Sequence, residues 1–378
     1  MMAPKTILFV VNAPEFFLSH RLPLAVAAGD AGYKVHVATA GGPDVKLIKE
    51  KGFVHHEVPF TRSGQNPLRE LNTILKLLRL LSALKPEIIH AVTIKPVLYG
   101  GIAARLAGVS TMVAAVSGLG TVFTSSSVAA HIRRWLVIRF YRAALRQERL
   151  SVIFQNPDDR DTLLKLGVIN AQQARIIRGS GVRLADFPFL PEPGSSPVVV
   201  MVARLLRDKG VFEFSEAARL LHERGVDVEM RLIGSPDSGN PTSVNQQDHD
   251  RWAQEGFVRL LGYRTDIAEQ YAAANIVCLP SYREGLPKSL VEAAACGRAV
   301  VTTDVPGCRD AIIPDVTGVL VPVKDAAALA DAIQHLSNDP ALRERMGRAG
   351  RQLAEESFAI ERIVEQHMTI YRELLDGA

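Results

Sequence analysis

Cysteine is scarce in this 378-residue chain: there are three, Cys278, Cys296 and Cys308, and no CxxC pair. An odd, unpatterned set builds no disulfide framework and reads as reduced thiols in a cytoplasmic protein. Aromatic residues amount to 6%. The basic positions carry no interleaved stacking platform, so nucleic acid is not an expected partner. Long apolar runs are missing as well. No stretch reaches the roughly 18 uncharged apolar residues of a membrane span. Residues 1–17 hold one lysine and the apolar run Ile7 to Val11, which is short for a secretory leader and the right length for a strand.

What is present is the balance of a globular enzyme, 47% hydrophobic and 22% charged residues, which excludes disorder, collagen and coiled coil. A chain of this length fits two domains and needs neither metal nor disulfide staples. Four prolines between Pro188 and Pro197 mark a linker. The expected division is an N-terminal domain at 1–187, the linker at 188–197 and a C-terminal domain at 198–360. A final helix at 361–378 is expected to pack back toward the N-terminal domain.

Charge is unevenly shared. Residues 1–190 contain 24 Lys and Arg against 12 Asp and Glu, while residues 191–378 contain 20 against 28, so the halves carry +12 and −8. A basic half beside an acidic one points to an anionic partner, among which phosphates and anionic lipid both qualify.

Short β-branched runs alternate with segments of helical period in both halves. Strands are expected at 6–11, 34–39, 87–92, 111–116 and 151–154, with helices at 20–31 and 68–84. In the second half, strands are expected at 198–203, 228–233, 258–261, 276–279, 299–303 and 318–322. Helices are expected there at 210–224, 267–274, 289–296, 326–338 and 340–357. Continuous apolar strands between helices predict doubly wound parallel sheets in an α/β protein, with ligands beyond the carboxyl ends of the strands.

Two constellations carry chemistry. After the strand at 198–203 come Arg204 and Lys209-Gly210. Two cations beside a helix N-terminus suit a diphosphate, although the same residues also fit a solvated basic turn. After the strand at 276–279 come Glu284-Gly285-Leu286-Pro287-Lys288-Ser289 and, eight positions beyond Glu284, Glu292. Paired carboxylates are acceptors for vicinal hydroxyls, Gly285 allows close backbone approach, and the amides from Leu286 to Ser289 suit phosphate oxygens. Spacing alone leaves Glu292 equally readable as a solvent-facing helix residue.

Taken in order, Arg204…Lys209-Gly210, Gly262-Tyr263-Arg264-Thr265-Asp266 and Glu284-Gly285-Leu286-Pro287…Glu292-Ala293 resemble the C-terminal domain of retaining glycosyltransferases of family 4. Those enzymes have the GT-B fold, two Rossmann-like doubly wound domains facing across a cleft. The resemblance implies that Arg204, Lys209 and Glu284 are catalytic, the two cations holding the donor diphosphate and Glu284 the sugar hydroxyls. It implies donor contacts from Tyr263, Arg264, Gly285, Leu286, Pro287 and Ser289, with Glu292 on the ribose. It implies no cofactor and no metal. Asp159-Arg160-Asp161 has the outline of a metal-binding DxD, but Asn156-Pro157 with acids in the following turn is the composition of a helix start.

The N-terminal half is expected to hold the acceptor, through His20, Lys95, Ser117 and Gly118. Two features depart from the family pattern. Asn12-Ala13-Pro14-Glu15 replaces a glycine-rich turn, and Ser117 stands in Val116-Ser117-Gly118-Leu119-Gly120 where many relatives have histidine. His90, ending a strand, reads either as a ligand contact or as a structural hydrogen-bonder. No protein nucleophile is evident, which favours front-face substitution assisted by the leaving phosphate. Residues 131–146 mix arginines with large apolar side chains, as in a helix lying on an anionic membrane or a core helix with snorkelling arginines.

Thr93 to Gly100, with Ser117-Gly118-Leu119-Gly120 and Ser19-His20-Arg21, is similar to the bacterial branch that extends polyprenyl-diphosphate-linked saccharides. The partners so implied are a nucleotide-diphosphate sugar (UDP above all), a lipid-linked saccharide acceptor and the inner surface of the cytoplasmic membrane. Rival expectations are a soluble acceptor, a nucleotide-sugar epimerase and a non-catalytic sensor.

Overall fold

The computed structural model describes residues 5–61, 66–119, 128–194, 196–237 and 239–376. Gly120 and the side chains of His131, Ile132 and Arg133 lie outside the described residues. The chain divides into two compact units, residues 1–180 with 361–378, and residues 181–360.

In the first unit the strands are β1 (Thr6–Val11), β2 (Lys34–Thr39), β3 (Val54–Glu57), β4 (Ile88–Val92), β5 (Thr111–Val116), β6 (Arg149–Phe154) and β7 (Ala174–Ile176). They form a seven-stranded sheet in the order β3-β2-β1-β4-β5-β6-β7, with every pairing parallel. The helices are α1 (Pro14–His20), α2 (Leu22–Asp30), α3 (Val45–Glu50), α4 (Pro67–Leu84), α5 (Ile94–Leu106), α6 (Val128–Ala144) and α7 (Pro157–Lys165). The pattern at 20–31 predicts one helix, whereas the chain breaks at Arg21 and places prolines in the first turn of both α1 and α2. Pro23 has no N–H to continue the preceding turn, so a new helix must start there.

The second unit has strands β8 (Val198–Val202), β9 (Glu229–Ile233), β10 (Arg259–Gly262), β11 (Ile276–Leu279), β12 (Ala299–Thr303) and β13 (Gly318–Val321). They make a six-stranded parallel sheet ordered β10-β9-β8-β11-β12-β13. Its helices are α8 (Val211–Glu223), α9 (Gln246–Glu255), α10 (Ile267–Ala272), α11 (Lys288–Ala295), α12 (Ala326–Asn338) and α13 (Pro340–Leu353). A π-turn, Ala354–Phe358, ends α13, and α14 (Ile360–Asp376) follows. The proline-rich segment lies inside this unit: Glu192 accepts from Asn275 Nδ2 at 2.9 Å and from Arg343 Nε at 3.0 Å.

The period of two along each strand explains the cores. Leu8 and Val10 join one cluster with residues of α4, α5 and α6, while Ile7, Phe9 and Val11 join another with residues of α1, α2 and α14. Side chains of β4 and β5 alternate in the same way, so the sheet is covered on both faces. The second unit has one large cluster built on its own sheet.

Candidate functional site

Each sheet reverses its strand order once, between β1 and β4 and between β8 and β11. Doubly wound sheets bind ligands beyond the carboxyl ends of the strands at such a point. In the second unit the segments leaving β8 and β11 pack directly on each other. Gly210 has φ 76°, and a Cβ there would stand 2.1 Å from the Pro280 carbonyl oxygen, so only glycine fits. The Tyr282 N–H donates to Asp208 O at 2.9 Å, which fixes the two segments in register.

This packing brings Lys209 and Glu284 together. The Lys209 ammonium pairs with Glu284 Oε1, and both side chains are largely buried. Ser281 Oγ donates to the same oxygen at 2.7 Å. The Glu284 loop is also held from β12: the Glu284 N–H donates to Pro306 O at 3.1 Å, and the Thr303 hydroxyl donates to Ser281 O. Gly307, with φ 83°, lies so close that a Cβ would be 2.5 Å from Glu284 O. The result is a carboxylate and an ammonium fixed by segments that leave β8, β11 and β12.

Arg204 is half-exposed and pairs with Asp237 Oδ2 at 2.7 Å. Glu292, on α11, is buried, with Lys288 Nζ at 3.4 Å and the Tyr271 hydroxyl donating at 3.4 Å. Burial pushes its carboxyl above the ordinary range, against the opposing pull of Lys288. Pro287 is the N-cap residue of α11 and no side chain caps that helix, so the first amides, at Lys288 and Ser289, lack intrahelical acceptors. Gly285 lies beside this start, and Leu286 is buried in the core of the unit. Tyr263 projects into solvent, 77% exposed. Arg264 makes a fork to Asp266 at 2.7 and 2.5 Å rather than joining the Lys209–Glu284 group.

The motif reading missed several members. Asp237, Ser281 and Gly307 are single residues whose roles depend on which loops meet. A further tie, Tyr282 hydroxyl to Glu213 Oε1 at 2.7 Å, fastens the loop to α8. Only Ser281 had a sequence signal, its place three residues before Glu284.

In the first unit a cavity of about 220 Å³ opens at the carboxyl ends of β1, β4 and β5, lined by Asn12, Thr61, Thr93, Lys95, Ser117 and Gly118 among others. Lys95 Nζ donates to Glu70 Oε1 at 2.7 Å and to Thr61 Oγ1 at 3.0 Å. Thr93 has φ 74°, a strained backbone for a β-branched residue and one that clusters at ligand sites. Asn12 Oδ1 is buried with no hydrogen-bond partner among the described residues.

His20 is not in that lining; it ends α1, stacked on Phe16 at 4.0 Å and bonded through Nδ1 to Ser19 Oγ at 2.7 Å. His90 is a core residue: Nδ1 meets the Tyr371 hydroxyl at 2.5 Å, and the ring stacks on Phe9 and His367. Burial lowers its basicity far below that of free imidazole. Asp159 belongs to a helix start, where Asn156 Oδ1 accepts from the Asp159 N–H at 2.8 Å. Among the described residues no group of three or more His, Cys, Asp or Glu is placed to hold a metal ion.

On α6, Trp135, Leu136 and Phe140 are exposed, with Arg139 stacked over Trp135 at 4.5 Å. Tyr141 and Ala144 are the buried side of that helix, so the exposed face is both basic and apolar. No helix among the described residues is long and apolar enough to cross a membrane.

Comparison with known proteins follows the same division. Residues 182–353 match the family model for glycosyl transferases group 1, and residues 6–156 match that for glycosyl transferase 4-like proteins. The chain is 28% identical over 97% of its length, and 98% of the relative, to the N,N'-diacetylbacillosaminyl-diphospho-undecaprenol alpha-1,3-N-acetylgalactosaminyltransferase of Campylobacter jejuni. It is 25% identical to the UDP-Gal:alpha-D-GlcNAc-diphosphoundecaprenol alpha-1,3-galactosyltransferase of Escherichia coli, covering 82% of this chain and 81% of that one. Among solved structures, Anabaena HepE in complex with UDP-glucose superposes with a TM-score of 0.76 at 20% identity, over 99% of this chain and 100% of the other.

Proposed function

From a chain that belongs to the glycosyltransferases, group 1 in its second unit and 4-like in its first, with two Rossmann-like α/β units of the GT-B kind, we propose a retaining transferase that acts on lipid-linked glycans. Its donor is a hexose or N-acetylhexosamine carried by a nucleotide diphosphate, UDP before others. Its acceptor is a saccharide on a polyprenyl diphosphate, assembled into bacterial surface or protein-linked glycan. Two relatives whose names specify diphospho-undecaprenol acceptors, one of them with UDP-galactose, support this reading. The observation that carries it is the buried Lys209–Glu284 pair, held by Ser281 at the strand-order reversal.

In this mechanism Lys209 and Arg204 bind the diphosphate, with Arg204 exchanging Asp237 for phosphate oxygens, and stabilise the charge that grows on the leaving nucleotide. The amides at Lys288 and Ser289 add donors. Glu284 accepts from sugar hydroxyls and Glu292 from the ribose; Tyr263, Arg264, Gly285, Leu286 and Pro287 frame the nucleotide. The C1–O bond to phosphate breaks as the acceptor oxygen bonds to C1 on the same face, and the acceptor proton passes to the leaving phosphate. An oxocarbenium-like state between these events needs nearby oxygens rather than a covalent nucleophile. Lys95, Ser117, Gly118 and His20 serve the acceptor.

A peripheral position at the inner face of the cytoplasmic membrane completes the reading. Exposed Trp135, Leu136 and Phe140 on α6, and Leu68, Leu71 and Leu75 on α4, accompany Arg139, Arg69 and Lys76. Large apolar side chains beside cations suit an anionic interface.

The test is to incubate the protein with UDP-, GDP- and ADP-sugars in EDTA, with and without membrane lipid extract. Nucleotide release from one donor that requires lipid is the expected result. Release without lipid would replace the reading by a soluble acceptor, hydrolysis or epimerisation, and binding without turnover would replace it by a sensor.

A further inference from the structure

The first unit carries a second cavity, on the sheet edge opposite the carboxyl ends. It measures about 530 Å³ and lies where the neighbouring strands β1, β4, β5 and β6 begin. Three cations from separate elements line it: Lys5 just before β1, Lys85 at the end of α4 and Arg149 at the start of β6. Ser110 and Thr111 also line it, and Glu87 is the one carboxylate among the lining residues. One oxygen of Glu87 already accepts the Thr6 amide at 2.5 Å.

The unit's own groups do not account for so many donors. Lys5, Lys85 and Arg149 have no ion-pair partner among the described residues. Arg149 gives Nη2–H to Ser110 Oγ at 2.8 Å, while its Nε–H is buried without an acceptor. Thr111 is 1% exposed, and its hydroxyl is likewise buried and unpartnered. Both of these atoms lie beneath the cavity surface, so neither is a donor that faces the cavity. Helix carbonyl ends attract cations, and those of α4 and α5 reach this cavity, partly capped by the amides that follow them. The Lys85 N–H donates to Leu81 O at 2.8 Å and the Val109 N–H to Ala104 O at 2.9 Å. Lys85 also has φ 46°, a backbone state that glycine takes at lower cost, yet the chain keeps a cation there.

We propose that this basin binds a phosphate group, either inorganic phosphate or a phosphate monoester. A tetrahedral dianion offers several acceptors to the three cations of this lining. Guanidinium and ammonium groups are the side chains that recognise it, and the surplus of cations over Glu87 matches a doubly charged ligand. The inference does not rest on the transfer reaction, because the basin lies on the other edge of the sheet from the cavity at Lys95 and Ser117.

The test is calorimetric titration of inorganic phosphate into the full chain at constant ionic strength, with UDP saturating so that a diphosphate site is blocked. One saturable site is expected, weakened at least about tenfold in Lys85→Gly and in Arg149→Gln. Lys85→Gly suits the left-handed backbone and so retains the fold, which unfolding curves verify. Unchanged affinity in both folded variants, or no saturation by about 10 mM phosphate, would overturn the proposal. A parallel arm sediments the protein with vesicles containing phosphatidic acid, a monoester, or phosphatidylglycerol, a diester. Capture that requires phosphatidic acid and is lost in the two variants makes a lipid headgroup the source, whereas free phosphate binding alone makes it a soluble ligand. A separate UDP titration showing no binding would count against the donor site and leave the phosphate arms intact.

Discussion

Lys209 is the side chain whose removal separates a diphosphate site from an ordinary basic turn. Its ammonium is fixed against Glu284, with side-chain exposures of 22% and 12%, so a bound diphosphate would meet it with little intervening water. A unit charge about 4 Å from a second, at an effective dielectric constant of about 20, is worth about 4 kcal/mol. At about 1.4 kcal/mol per tenfold, the loss in Lys209→Ala should reach about a thousandfold in kcat/KM. The fold should survive, because Glu284 keeps its bond from Ser281 Oγ at 2.7 Å and is not stranded. Lys209→Arg should recover part of the loss, since it restores charge but not the compact shape. The assay is UDP release in the presence of a polyprenyl-diphosphate-linked saccharide, with thermal unfolding as the check on folding. A Lys209→Ala protein that melts like the wild type and works within tenfold of it would refute the reasoning.

The other predictions concern geometry and pH. Gly210→Ala combines a φ of 76° with a Cβ 2.1 Å from Pro280 O, so it should cost about 1–3 kcal/mol in urea unfolding. Gly225→Ala, at φ 68° with nothing within 4 Å, should cost clearly less, and equal losses would contradict the steric account. Burial raises the Glu292 carboxyl, and the ribose contact proposed for it needs the ionised form. KM for the donor should therefore climb as pH falls through that raised value, and a Glu292→Gln enzyme with the same pH limb would remove Glu292 from the site. His367 is fully buried and lowered to about 3 from an ordinary 6.5, so the stability it confers is complete above pH 6.5 and drains away as the pH falls toward 3. Urea unfolding at successive pH values should show a slope smaller by up to about 1.4 kcal/mol per unit in His367→Gln, and an unaltered slope would show that the imidazole does not titrate this way. Trp135→Ala with Phe140→Ala should weaken sedimentation with anionic vesicles without altering hydrolysis of a soluble donor, and undiminished sedimentation would exclude α6 as the contact.

The central strands were legible because a buried parallel strand must be apolar on both faces. The runs Thr6–Val11 and Ala299–Thr303 meet that demand with every residue but the first of β1 buried. β3 and β7 escaped notice for the same reason in reverse. They are edge strands, Val-His-His-Glu and Ala-Arg-Ile, with no fully buried residue in either, so nothing forces an apolar pattern on them. The break at Arg21 was hidden because helical periodicity continues across it, and only the proline at the second position of α2 betrays it. Local pattern records burial, and where burial is partial the pattern fades.

The candidate site divides along a related line. Lys209, Gly210 and Glu284 could be singled out because each follows a strand end closely, although spacing left them readable as turn residues and only the family resemblance gave them roles. Asp237 and Gly307 stand on other loops, and their part emerges only when β9 and β12 bring those loops beside β8 and β11. The first unit adds a sharper instance. The two departures from the family pattern, Asn12 and Ser117, are 105 positions apart in sequence, yet both line the cavity that holds Lys95 and the strained Thr93. Adjacent strands β1, β4 and β5 make them neighbours. The carbonyl of Asn12, buried without a hydrogen-bond partner among the described residues, is a polar group that a glycine turn would not supply, and on the proposed reading, in which this cavity serves the acceptor, acceptor specificity would be set here.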